Sequence, residues 1–256
     1  MPEAHLLYRV EQDAAYFTIN REPQRNALSI DAINLFLKYL DQAERDENVR
    51  VILVSGAGDK AFCSGADLGS APGGEIQEGF RRYASLLKRL TGYSKPVVAK
   101  VNGYCLAGGM GLMLACDIVI AADHAQFGTP EVNVGLWPMM IGAVIYRNVL
   151  RKKAMEMVLL GERFGAKQAL EMGLITRSVP AETLDQEVGK ILKSLAAKSS
   201  IGIKIGKEAF HAMADMPFEE AVDFLSGKIA EVAATEDAKE GITAFVEKRT
   251  PVFKGR

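Results

Sequence analysis

"NGYCLAGGMGLMLACD", residues 102–117, holds four glycines and carries no charge before its final aspartate. The uncharged run from Val101 to Cys116 is 16 residues long, short of the roughly 20 apolar residues that a membrane-spanning helix needs. Read with the apolar "KPVVAKVNG" (95–103) before it, the stretch is a buried strand, a glycine turn and the start of a helix. The same order occurs upstream, where "VRVILVSG" (49–56) runs into "AGDKAFCSGADL" (57–68). Glycine lets the backbone approach a ligand closely and aim its N–H groups there. Neither turn matches G-x-x-x-x-G-K-[ST] or a clean G-x-G-x-x-G, so a phosphate cradle is weakly supported. Two such turns facing one point would suit a single developing negative oxygen. For either turn alone, tight strand–helix packing explains the glycines equally well.

Outward from these turns the chain keeps alternating. "AAYFTIN" (14–20), "CDIVIAA" (116–122) and "LITRSVP" (174–180) read as further strands. Ser29 is a good N-cap for a helix with Ile33, Phe36, Leu37 and Leu40 on one face. Phe80, Tyr83, Leu87 and Leu90 mark a second amphipathic helix. From Ala181 onward the period is helical, as in Leu184, Val188, Ile191 and Leu195. The expectation is an α/β body over residues 1–198 and a helical C-terminal region over 199–256. "GSAPGGE" (69–75) reads as a mobile loop.

Composition removes several function classes. The 256 residues carry 31 Lys and Arg against 32 Asp and Glu, without a dense basic cluster, so nucleic-acid binding has no support. The three histidines show no metal-ligand spacing and follow no G-x-S-x-G elbow, which speaks against a zinc site or a histidine base. Cys63, Cys105 and Cys116 form no C-x-x-C pair and sit in apolar surroundings. Buried, reduced thiols in a cytoplasmic protein are the expectation. "MPEAHLLYRV" lacks the features of a targeting peptide.

The segment "AQFGTPEVNVGLWPMMIGAVIY" (125–146) contains one charged residue, Glu131. Phe127, Val132, Val134, Leu136, Trp137, Met139 and Met140 surround it in sequence, and desolvation by such neighbours raises a carboxyl pKa. A glutamate raised toward neutrality is a good general acid/base; the alternative is a loop glutamate pointing into water.

Together these segments resemble the enoyl-CoA hydratase/isomerase (crotonase) superfamily nearly end to end. "INREPQRNALS" (19–29) resembles its opening strand and turn. "AFCSGADL" and "NGYCLAGGMGLMLACD" resemble its two oxyanion segments, "AQFGTPEVNVGLWP" its catalytic glutamate segment, and "ATEDAKEGITAFVEKRTPVFKG" (234–255) its terminal helix. The resemblance implies a spiral of ββα turns with a helical trimerisation region, assembled as a homotrimer or dimer of trimers. The implied substrate is an acyl-CoA thioester, with coenzyme A as part of the substrate and no other cofactor, metal, nucleic acid or membrane involved.

Carried over residue by residue, the N–H groups of Ser64 and Gly108 hold the thioester oxygen as an enolate, and Glu131 is the acid/base. Arg25 and the stretch Ala61, Phe62, Gly65, Ala66, Asp67 and Leu68 fall where the family contacts CoA. Phe245 and Lys248 fall where a terminal helix contributes to CoA binding, and Trp137 and Met139 where the acyl site narrows. For Arg25 and Lys248 a solvated surface role is equally compatible. Two departures stand out. Gly111 occupies the place of a second glutamate usual in hydratases of the family, and Met139 and Met140 replace a glycine-rich turn. The first favours double-bond isomerisation over hydration; decarboxylase, hydrolase, or non-catalytic CoA- or RNA-binding roles are the alternatives.

Overall fold

The computed structural model describes residues 4–67 and 75–256. Leu68 and the loop expected at 69–75 lie outside these residues, Glu75 excepted, which opens a helix.

An antiparallel pair, β1 (Leu6–Glu11) and β2 (Ala14–Ile19), opens the chain and is followed by α1 (Ile30–Arg45). Three turns of strand, short strand and helix come next. They are β3 (Val51–Gly56), β4 (Ala61–Cys63) and α2 (Glu75–Thr91); β5 (Val97–Val101), β6 (Tyr104–Leu106) and α3 (Gly108–Leu114); β7 (Ile118–Ala122), β8 (Gln126–Gly128) and α4 (Met139–Asn148). The chain continues through α5 (Arg151–Leu160), β9 (Phe164–Gly165), α6 (Ala166–Glu171), β10 (Arg177–Val179) and α7 (Leu184–Ala196). Three helices close it: α8 (Ser200–Met213), α9 (Phe218–Ala234) and α10 (Glu236–Glu247). The glycine turn after β3 leads into the short strand β4, where the sequence suggested a helix start.

Two sheets result. The larger has the order β1-β2-β3-β5-β7-β10 and is parallel from β2 onward. The smaller has the order β4-β6-β8-β9 and is parallel except for its last pair. Every residue of β3 is buried, as expected for a parallel strand covered on both faces. On one face Leu184, Val188 and Leu192 of α7 pack on Val51, Leu53, Val98 and Ile120. On the other, α1 and α2 close the main core.

Helix α1 starts where Ser29 Oγ accepts the Ala32 N–H at 3.1 Å, and it buries Ala32, Ile33, Phe36, Leu40 and Ala43. In α2 the buried face is Tyr83, Leu86, Leu87 and Leu90, whereas Phe80 is exposed, a helical position off the core stripe. In the closing helices Phe210, Phe218, Ile229, Phe245 and Val246 are largely exposed. Among the described residues no helix is long and apolar enough to cross a membrane.

Candidate active site

The three segments singled out by composition leave the same end of the smaller sheet. Strands β4, β6 and β8 are parallel neighbours, with Ala61 opposite Tyr104 and Cys105 opposite Phe127. Their carboxyl ends deliver residues 64–67, the α3 turn and the Glu131 segment side by side. The carboxyl edge of parallel strands is where α/β sheets place ligands.

Hydrogen bonding in the first turn separates its donors. Ser64 N–H donates to Arg25 C=O at 3.1 Å, and Asp67 N–H to Leu28 C=O at 2.8 Å. The oxyanion role expected of Ser64 therefore meets an N–H that is already committed. Ala66 N–H and Gly108 N–H have no acceptor among the described residues. A Cβ on Gly108 would stand 3.2 Å from the Ala66 nitrogen, so the two N–H groups border one small space. Gly109 serves packing: a Cβ there would overlap Cys63 C=O. Asp67 is held by Arg21, Nη2 to Oδ2 at 2.9 Å, which braces the turn.

Ala107, between β6 and α3, has φ 48° and ψ −125°. A non-glycine residue in such a conformation stores strain and persists only where its surroundings over-determine it. Here Ala107 N–H donates to Gly128 C=O at 2.9 Å, and Ala107 C=O accepts from Met110 N–H at 2.9 Å. The first of these ties the α3 turn to the end of β8.

Glu131 lies in a 3-10 turn, Pro130–Val134. The turn is pinned to α5 at both ends: Thr129 Oγ1 donates to Met157 C=O at 3.4 Å, and Asn133 Nδ2 to Gly161 C=O at 3.0 Å. Glu131 Oε2 is buried and has no hydrogen-bond partner among the described residues. Burial pushes its carboxyl above the ordinary glutamate range, and a hydrogen bond from its own backbone opposes this in part. The source of that burial differs from the sequence expectation. Val134, Leu136, Trp137 and Met139 are exposed.

The other predicted residues divide. Ala61 and Phe62 are fully buried in β4, so their side chains belong to the core and not to a ligand surface. Gly65 (φ 129°) abuts Ala107, and Ala66 is exposed beside it. Exposed Arg25 sits with its guanidinium 6.0 Å from the Tyr104 ring centre, which Arg163 also faces at 5.4 Å. Phe245 and Lys248 lie exposed at the end of α10.

Gly111 is buried in α3, and a Cβ there would overlap Ile141 and stand 2.5 Å from the Tyr83 hydroxyl. The place of the absent carboxylate is thus filled by a phenol and an aliphatic side chain. Tyr83 was legible only as a core position of α2, because nothing in its helical spacing tells where its hydroxyl ends. That hydroxyl donates to Gly108 C=O.

Residues 9–256 match the enoyl-CoA hydratase/isomerase family. The mitochondrial enoyl-CoA hydratase of Pongo abelii is 38% identical over 92% of this chain and 82% of its own length. The 2,3-dehydroadipyl-CoA hydratase of Escherichia coli K12 is 32% identical over 99% of this chain and all of its own. The crystal structure of an enoyl-CoA hydratase from Mycobacterium smegmatis superposes with a TM-score of 0.93 at 32% identity, covering 98% of this chain and 99% of that one.

Proposed function

The chain belongs to the enoyl-CoA hydratase/isomerase (crotonase) superfamily and is an enzyme of acyl-CoA thioesters; from that premise we propose that Ala66 and Gly108 hold the thioester oxygen while Glu131 moves the proton. The observation that carries this reading is that both N–H groups lack an acceptor among the described residues and lie close together, the Ala66 nitrogen standing 3.2 Å from where a Gly108 Cβ would be. Glu131, on the adjoining strand end, adds a carboxyl oxygen without a partner. Preorganised backbone donors aimed at a developing oxyanion are typically worth about 100- to 1,000-fold in rate each.

For a 3-enoyl-CoA, ionised Glu131 takes a proton from the α-carbon, and the electron pair moves into the carbonyl as an enolate held by the two N–H groups. The same carboxyl returns the proton at the γ-carbon, the carbonyl re-forms, and the double bond ends in conjugation. For a 2-enoyl-CoA, water adds its oxygen to the β-carbon and a proton is delivered to the α-carbon, which asks more of one carboxylate. Gly111, with Tyr83 and Ile141 filling the space beside it, favours isomerisation over hydration as the faster reaction.

Arg25 and Arg163, gathered on Tyr104, are the cations we assign to CoA phosphates, and Trp137 and Met139 border the acyl end. The exposed apolar side chains of α8 to α10 are assigned to a homotrimer or dimer of trimers, and the three buried free thiols suit a cytoplasmic setting. The test is a panel of 2-enoyl- and 3-enoyl-CoAs of matched chain length, read by conjugated-thioester absorbance and mass. Efficient hydration of a 2-enoyl ester with negligible isomerisation of its 3-enoyl partner overturns the preference. No turnover of any thioester overturns the reading.

A further inference from the structure

The Tyr83 side chain reaches from α2 into the first turn of α3, where it is 1% exposed. Its hydroxyl donates to Gly108 C=O. A side-chain donor on a carbonyl of the first turn is one of the few things that shape a helix start. This contact requires glycine at position 111, since a Cβ there would stand 2.5 Å from the hydroxyl.

The consequence falls on the oxyanion donor. Gly108 has no Cβ to restrict it, and it follows Ala107 in a strained conformation. The peptide on its N-terminal side is tied through Ala107 C=O, which accepts from Met110 N–H. The peptide on its C-terminal side is tied by Tyr83. Without the hydroxyl, Gly108 C=O loses this side-chain tether, which leaves the Gly108 backbone freer to turn and re-aim its N–H.

We propose that Tyr83 is a positioning residue for the thioester-oxygen site, its hydroxyl holding Gly108 C=O so that Gly108 N–H points into the space shared with Ala66 N–H. The proposal rests on the thioester reading above. Burial above all, with the Glu131 charge as a lesser cause, holds the phenol far above the usual tyrosine range, so it stays a neutral donor at any working pH.

The test compares wild type with Tyr83→Phe, which removes one oxygen and keeps the ring. Both are mixed with para-dimethylaminocinnamoyl-CoA, a chromophore whose absorbance moves to the red when its carbonyl is polarised. Both are also assayed on the enoyl-CoA that wild type turns over best. The expected result is unimpaired probe affinity, a red shift markedly smaller than that of wild type, and kcat lower by about 10- to 100-fold with little change in KM. A full red shift and wild-type kcat overturn the proposal, as does a lowered melting temperature with both unchanged, which marks a packing role. Difluorotyrosine installed at position 83 keeps the ring and strengthens the donor, so it should deepen the shift; an unchanged shift there also overturns the proposal. Absence of any red shift and any turnover in wild type sinks the thioester reading itself, and this one with it.

Discussion

Glu131 concentrates the residue-scale consequences. Glu131→Gln keeps shape and removes basicity, so acyl-CoA binding should persist while turnover falls at least ~100-fold; near-normal turnover would exclude it as the base. Because burial raises its pKa, the acid limb of the wild-type pH–rate profile should lie above the ordinary glutamate range, and Glu131→Gln should lack that limb. The same shift has a sign in stability. The folded protein holds this proton more tightly than the unfolded chain, so the ionising carboxyl costs stability as pH rises from its unfolded value through its raised folded value. Glu131→Gln should therefore melt higher relative to wild type at neutral pH than below both values, a comparison made by thermal melts across that window. Gly108→Ala tests the second partner. Its methyl would enter the space 3.2 Å from Ala66 N, and turnover should drop about 100-fold in a folded protein. Unchanged turnover would move the oxyanion site elsewhere.

At the scale of elements, α3 is shaped by what packs on Gly111. A Cβ there would overlap Ile141 and crowd Tyr83, so Gly111→Glu is expected to break this packing and not to supply a second carboxylate. Even Gly111→Ala, which should gain about 1 kcal/mol in helix propensity, should lose stability on balance, since overpacking a filled core costs about 1–3 kcal/mol. A denaturant melt with a midpoint at or above wild type would show that α4 yields more easily than its packing indicates. The elements also show which signals a sequence carries. Strands β3, β5 and β7 were legible as apolar runs, whereas β4, β6 and β8 are three residues each and β9 two, too short for any period to register. The short strands are nonetheless the ones that bring Ala66, Gly108 and Glu131 together.

For the whole molecule the closing helices decide. Phe245 is 84% and Phe218 82% exposed in the single chain, with Ile229 and Val246 also open to solvent. Isolated apolar residues on a surface need no explanation, but so many on three successive helices are what the proposed homotrimer or dimer of trimers would cover. Sedimentation should give a mass of three or six times 27.8 kDa, and Phe218→Glu should shift it toward the single chain. A monomer at micromolar concentration would overturn the assembly reading.

The residues of this chain by themselves determined its family, its α/β class, the long strands and helices, and Gly108 and Glu131 as site candidates. They did so because apolar period, glycine at a strand end and a lone charge in an apolar segment are local signals. Which N–H groups are free was decided only by tertiary structure. The sequence reading put the donor at Ser64, and Arg25 C=O, brought from the opening turn, claims that N–H and leaves Ala66 N–H, two residues on, without an acceptor among the described residues. The same holds for Ala61 and Phe62, drawn into the core by pairing of β4 with β6. It holds too for Tyr83, whose hydroxyl meets Gly108 25 residues along the chain. Hydrogen-bond satisfaction is settled by partners distant in sequence, and only the fold says where they stand.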